Sequence, residues 1–138
     1  MSGFVLDASV ALSWFVDHPV HPYAVQVRDR IRAGMRALVP CLWELEFANG
    51  LLIAERRKII LAAVADEGMA EVQRLRNTGI EMEVGSLTIR EVLALARSHQ
   101  LTAYDASYLE LAKREGVPLA TLDKGLETAA KKTGVSLL

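Results

Sequence analysis

Along the chain, short apolar runs alternate with longer stretches whose apolar residues recur at helical spacing, the pattern of a parallel sheet covered by helices. Gly-Phe-Val-Leu at residues 3–6 predicts a buried first strand, and residues 9–16 the helix after it. Pro19 and Pro22 interrupt the chain. Residues 23–33 then set Val25 and Val27 among Gln26, Arg28, Asp29 and Arg30 and stop at Gly34, as a surface helix does. Residues 36–39 predict a second strand, and Pro40 a long helix to about Lys58, since proline suits a first helical turn. Residues 61–76 are amphipathic, and Asn77-Thr78-Gly79 turns the chain into residues 80–84. There Ile80, Met82 and Val84 alternate with Glu81 and Glu83, which predicts a half-exposed edge strand. Thr88-Ile-Arg-Glu91 has the form of a capping box that opens the next helix. Helices over 103–115 and 124–133 flank a short strand at 118–122, and 135–138 offers a final strand. The expected fold is a three-layer α/β sandwich with a mainly parallel sheet of four or five strands. No repeat, low-complexity tract or linker divides it, so residues 1–138 are read as one domain.

Composition narrows the class. A chain of 138 residues can bury roughly 65–70% of its unfolded surface. With 51% hydrophobic and 24% charged residues it falls in the globular range. Cys41 is the single cysteine, which excludes an intramolecular disulfide and a cysteine-based zinc site and points to a reducing cytoplasm. The first sixteen residues have no basic start and carry Asp7 inside their apolar stretch, so export is not expected. No apolar run approaches the ~18 residues of a membrane span. The net charge of −1 is not the footprint of a protein that holds nucleic acid by bulk charge. With Asp7, Glu46, Asp105 and Asp123 counted apart, however, the rest of the chain is mildly basic, which permits a phosphate-rich substrate.

Those four acids carry the candidate chemistry. Asp7 and Asp123 each directly follow an apolar strand, and Asp105 lies in the first turn of the helix opening at Thr102. Groups at the carboxyl ends of parallel strands meet where strand order reverses. Any one of these aspartates is explained as well by helix capping, and Thr102-Ala-Tyr-Asp105 matches a capping box with Asp for Glu. A gathered set is not. Ionised carboxylates ~4 Å apart repel by ~4 kcal/mol per pair at an effective dielectric of 20. Raised pKa values or a cation must relieve that repulsion, and all-oxygen ligation favours Mg²⁺ or Mn²⁺ over zinc. Metal-assisted phosphodiester hydrolysis is the chemistry such a site supports.

The segments Phe4-Val-Leu-Asp7-Ala-Ser9, Pro40-Cys-Leu-Trp-Glu-Leu-Glu46-Phe-Ala-Asn49, Leu101-Thr-Ala-Tyr-Asp105-Ala-Ser-Tyr-Leu-Glu-Leu-Ala112 and Leu119-Ala-Thr121-Leu-Asp123 resemble, in order and spacing, the successive motifs of PIN domains, especially VapC-type toxins. The resemblance spans nearly the whole chain. It implies a Mg²⁺- or Mn²⁺-dependent ribonuclease, a homodimer and an antitoxin partner of the VapB kind held in an apolar groove bordered by the early helices. It also implies supporting roles for Ser9, Asn49 and Thr121. A housekeeping RNA-processing nuclease is the alternative within the same family. On the third helix, residues two apart point about 200° away from each other, so only one of Glu44 and Glu46 can face the aspartates. Periodicity leaves the choice open. The polar Asn49 one turn beyond Glu46, as a hydrogen-bond partner, favours Glu46.

Other features point elsewhere or nowhere. His18 and His21 lie in a proline-broken loop with no third ligand nearby, and His99 suits a helix C-terminus. Trp14, Trp43 and Phe47 sit at helical spacing among aliphatic residues and are read as core rather than as base-stacking platforms. Arg56-Arg57-Lys58 fits a helix end and an RNA contact equally. A haloacid-dehalogenase-type phosphatase would need an aspartate at position 9, where Ser9 stands, and a receiver-like module would need one at 84–86, which reads Val-Gly-Ser. A PIN-like scaffold that only binds partners is disfavoured because all four acids are present.

Overall fold

A computed structural model of the chain describes residues 3–83 and 88–138. Four strands, β1 (Gly3–Leu6), β2 (Arg36–Val39), β3 (Ile80–Met82) and β4 (Leu119–Ala120), form a wholly parallel sheet in the order β3-β2-β1-β4. Val5 stands opposite both Leu38 and Leu119, so β1 is the sheet's middle and is buried along its whole length. Its unbroken apolar run is what a strand covered on both faces requires.

The connections explain the layers. The chain runs through α1 (Ala8–Val16) and α2 (Pro22–Arg32) to β2, then through α3 (Trp43–Arg56) and α4 (Ala62–Arg76) to β3. It then reverses, and α5 (Ile89–His99) and α6 (Ala103–Glu115) carry it back past β1 to β4, before α7 (Lys124–Thr133). Right-handed crossovers in opposite directions put the two helix sets on opposite faces. Accordingly α1 packs against α2, α3 and α4, while α6 packs against α5, α7 and β1. Trp14, Trp43 and Phe47 are buried, with Trp43 and Phe47 stacked at 5.5 Å, so they belong to the core.

Four details differ from the sequence reading. Pro40 does not open α3: its carbonyl accepts from the Trp43 N–H in a tight turn, and the helix starts at Trp43, whose indole is fully buried. Thr88 holds the N-cap position of α5 without a side-chain cap hydrogen bond. The strand expected at 118–122 is paired only at Leu119–Ala120. The strand expected at 135–138 contracts to a single parallel bridge between Leu119 and Leu137. Val84, expected in the edge strand, lies outside the described residues.

Candidate active site

Strand order reverses between β1 and β4, and the acids gather at the carboxyl ends of those strands. Asp7 follows β1 and is 4% exposed. It occupies the N-cap position of α1 but caps nothing. Instead its Oδ2 accepts from the hydroxyls of Ser9 and Thr121, both at 2.7 Å. Each hydroxyl also ties Asp7 to the β4–α7 junction: Ser9 Oγ accepts from the Leu122 N–H and Thr121 Oγ1 from the Asp123 N–H, both at 3.0 Å. The strand end, the first helix and the second junction thus share one hydrogen-bonded knot around a buried carboxylate. Asp123 has the other arrangement. It is exposed, and its Oδ1 caps α7 through the Leu126 N–H at 2.9 Å.

Asp105 is held by the start of α6, where Thr102 Oγ1 accepts from the Asp105 N–H at 3.1 Å. Glu46 comes from α3, which Gly50 brings close to α1: a Cβ there would collide with the Leu12 side chain. The Tyr108 hydroxyl of α6 donates to Glu46 Oε1. Glu44 points away and pairs with Arg76. The Asn49 side chain is exposed and makes no hydrogen bond among the described residues, so the hydrogen-bond partner of the Glu46 side chain in this structure is Tyr108. Tyr108 is the residue that sequence reasoning did not single out, although it lies one turn after Asp105 on the same helix face.

The electrostatics join the four acids. Burial pushes the Asp7 carboxyl up, its two hydroxyl donors oppose this, and the charges of Asp105 and Asp123 raise it further. Burial likewise raises Glu46, against the Tyr108 hydrogen bond and with Asp7 and Asp105 adding repulsion. Asp105 is raised by burial and then by Asp123. Burial, then the charge of Asp7, keeps the Tyr108 phenol protonated and so a donor at any physiological pH. Among the described residues, no lysine or arginine figures among the influences on Asp7, Glu46 or Asp105. The missing charge partner and the all-oxygen donor set fit a hard divalent cation. Even so, no three His, Cys, Asp or Glu side chains among the described residues close into a ready-made chelate.

Comparison with solved structures gives the same architecture. The chain superposes on a protein described as PAE2754 from Pyrobaculum aerophilum with a TM-score of 0.68 at 24% identity, covering 93% of this chain and 79% of that one. FitAcB from Neisseria gonorrhoeae gives 0.62 at 17% identity over 98% and 96% of the two chains. A toxin-antitoxin complex from Klebsiella pneumoniae gives 0.58 at 16% over 87% and 86%. No curated protein sequence matches. The PIN domain family pattern matches residues 4–132, across every strand and all four acids, and the chain belongs to the PIN domain family.

Proposed function

We propose that the protein is a metal-dependent endoribonuclease, the toxin of a VapBC-type toxin–antitoxin pair. PIN domains are typically nucleases. The observation that carries the reading is the set of four acids from the end of β1, α3, α6 and the β4–α7 junction, charge-coupled, with no lysine or arginine among the described residues acting on Asp7, Glu46 or Asp105. Mg²⁺ or Mn²⁺ would be held by Asp7, Asp105 and Asp123 with Glu46, and when bound it lowers the pKa of water and polarises the phosphate. Mg²⁺ keeps several waters and takes few carboxylates directly, in keeping with acids that do not close on one point. The chain's own part is positional. Ser9 and Thr121 fix Oδ2 of Asp7, which leaves Oδ1 for the ligand side, and Tyr108 orients Glu46. Asn49 is the remaining supporting candidate, exposed on α3 and free to meet substrate.

With water as nucleophile and the 3′-oxygen as leaving group, the products are 5′-phosphate and 3′-hydroxyl ends, and the ribose 2′-hydroxyl takes no part. The test is purified protein with mixed RNA, with and without EDTA. Cleavage that survives chelation removes the metal, and 2′,3′-cyclic ends remove the nucleophile.

A homodimer and an antitoxin fit the exposed apolar side chains: Leu45, 75% exposed, with Leu52 and Ile53 on α3, Leu61 before α4, and Ile89 and Leu93 on α5. One of the structural relatives is itself a toxin-antitoxin complex. No helix among the described residues is long and apolar enough to cross a membrane, and a cytoplasmic site of action is part of the same proposal. Expression of the chain alone should arrest bacterial growth; confirmed RNA cleavage with unharmed growth would replace the toxin by a housekeeping nuclease.

A further inference from the structure

A cavity of about 360 Å³ opens beside the acids, beyond the end of β4. Thr121, whose hydroxyl holds Asp7, is in its wall, and so are both chain neighbours of Asp123, Leu122 and Lys124. A phosphate at Asp123 therefore has this cavity as its immediate neighbour. Tyr23 and Leu137 give it an aromatic and an apolar wall. The Tyr23 hydroxyl donates to the Leu138 carbonyl at 3.0 Å, which fixes the ring as a rigid surface of the kind on which bases stack.

The polar side of the cavity has a definite pattern. Lys124 Nζ and Glu127 Oε2 stand 3.5 Å apart, one turn apart on α7, and present a donor next to an acceptor. The Glu127 side chain is 27% exposed and the Lys124 side chain 91%, so the carboxylate is the more enclosed member of the pair. His21 is also in the wall, and its Nδ1 accepts from the Tyr23 N–H at 3.2 Å, leaving Nε2–H as that ring's donor.

We infer that this cavity is a base-reading subsite that takes a guanine next to the cleaved phosphate, an inference that rests on the RNA-cleaving reading of the acidic site. Single-stranded RNA is read on the Watson–Crick edges of splayed bases. Guanine alone offers there an acceptor, O6, beside two adjacent donors, N1–H and the N2 amine. The ammonium of Lys124 meets the first and the carboxylate of Glu127 accepts from the pair. Uracil offers the carboxylate one donor, and cytosine and adenine set a ring-nitrogen lone pair beside their amine, which repels it.

The test uses the full chain and four RNA nonamers that differ only in the central base of an oligouridine, with binding followed by fluorescence anisotropy in Ca²⁺. The guanine nonamer should bind at least about fivefold more tightly than the other three, the discrimination a bidentate base contact supports. Glu127→Gln should bring all four within about twofold of one another, whereas Lys124→Ala should weaken guanine most. Equal binding of the four by the parent protein, or discrimination retained in Glu127→Gln, overturns the inference. Cleavage of the same nonamers in Mn²⁺ is scored separately. Discrimination without cleavage sinks the nuclease reading and leaves the base-reading cavity; cleavage without discrimination does the reverse.

Discussion

Asp7 and Asp123 stand at equivalent junctions, each after an apolar strand and each at the N-cap position of the next helix, yet they are held in opposite ways. Asp123 is exposed and spends one oxygen on the Leu126 N–H, as an ordinary cap does. Asp7 is buried, leaves the α1 amides alone and takes two hydroxyl donors on a single oxygen. A buried carboxylate that declines the nearest amides and has two other acids raising its pKa is destabilising on its own account. On the proposed reading, the contrast teaches that capping and metal binding are not exclusive roles. An exposed cap keeps one oxygen free for a ligand, whereas the proposed ligand would offset the cost of burying Asp7.

The strongest way to break this comparison is Asp7→Asn. An amide oxygen can still accept from Ser9 and Thr121, so the knot survives while the buried charge disappears. Cleavage should fall on the order of 10³-fold. The metal-free protein should melt higher, by roughly 3–5 °C for each kcal/mol relieved. A lower melting temperature with cleavage intact would mean that Asp7 is structural.

The α3 pair comes next in size. Glu46→Gln keeps an acceptor for Tyr108 but removes a charge coupled to Asp7 and Asp105, and it should cost on the order of 10²-fold in rate. Glu44→Gln trades a surface pairing with Arg76 worth at most about 1 kcal/mol and should leave cleavage within a few-fold of the parent. Rate measurements on the two variants that come out in the opposite order would show that the helix register assigned to α3 is wrong.

These positions also show what the sequence could and could not tell. The end of β1 was legible because an apolar run followed by Asp marks it, whereas the same signal at Asp123 overran β4, which stops at Ala120. The choice of Glu46 was reached through Asn49, whose side chain makes no hydrogen bond among the described residues, whereas the structure supplies Tyr108, 62 residues away in the chain. Periodicity on one helix cannot see a partner on another. Ser9 and Thr121 were marked only by resemblance; their reason, one shared oxygen of Asp7, exists only once β1 and β4 lie side by side. Pro40 misled because a proline suits a tight turn as well as a first helical turn, and burial of Trp43 decided between them.

Metal and pH sharpen the contrast more gently. Asp7, Glu46 and Asp105 hold their protons more tightly in the folded protein than an ordinary carboxyl does. Their contribution to stability is therefore fully present below the usual carboxylate range and is lost as pH rises through the raised pKa values. The metal-free protein should lose melting temperature between pH 5 and pH 8, relative to Asp7→Asn, by a few degrees. On the proposed reading Mn²⁺ competes with those protons, so the stabilisation it gives should be larger at pH 8 than at pH 5. Thermal melts with and without Mn²⁺ at the two pH values check this, and a shift equal at both would disconnect the acids from the metal.

The smallest expected effect separates the two roles of Asp123. Asparagine is as good an N-cap as aspartate, so Asp123→Asn keeps the hydrogen bond to the Leu126 N–H and loses only the charge. Asp123→Ala loses both. Cleavage should fall in the two variants alike, because the proposed metal would need the charge and neither variant has it. Stability should part them: alanine should cost about 1 kcal/mol relative to asparagine, which is the worth of the cap alone. Urea unfolding of the metal-free variants reads that difference without reference to catalysis. If asparagine restores cleavage as well as stability, the cap is all that Asp123 provides, and the exposed junction does not belong to the acid set that Asp7 anchors.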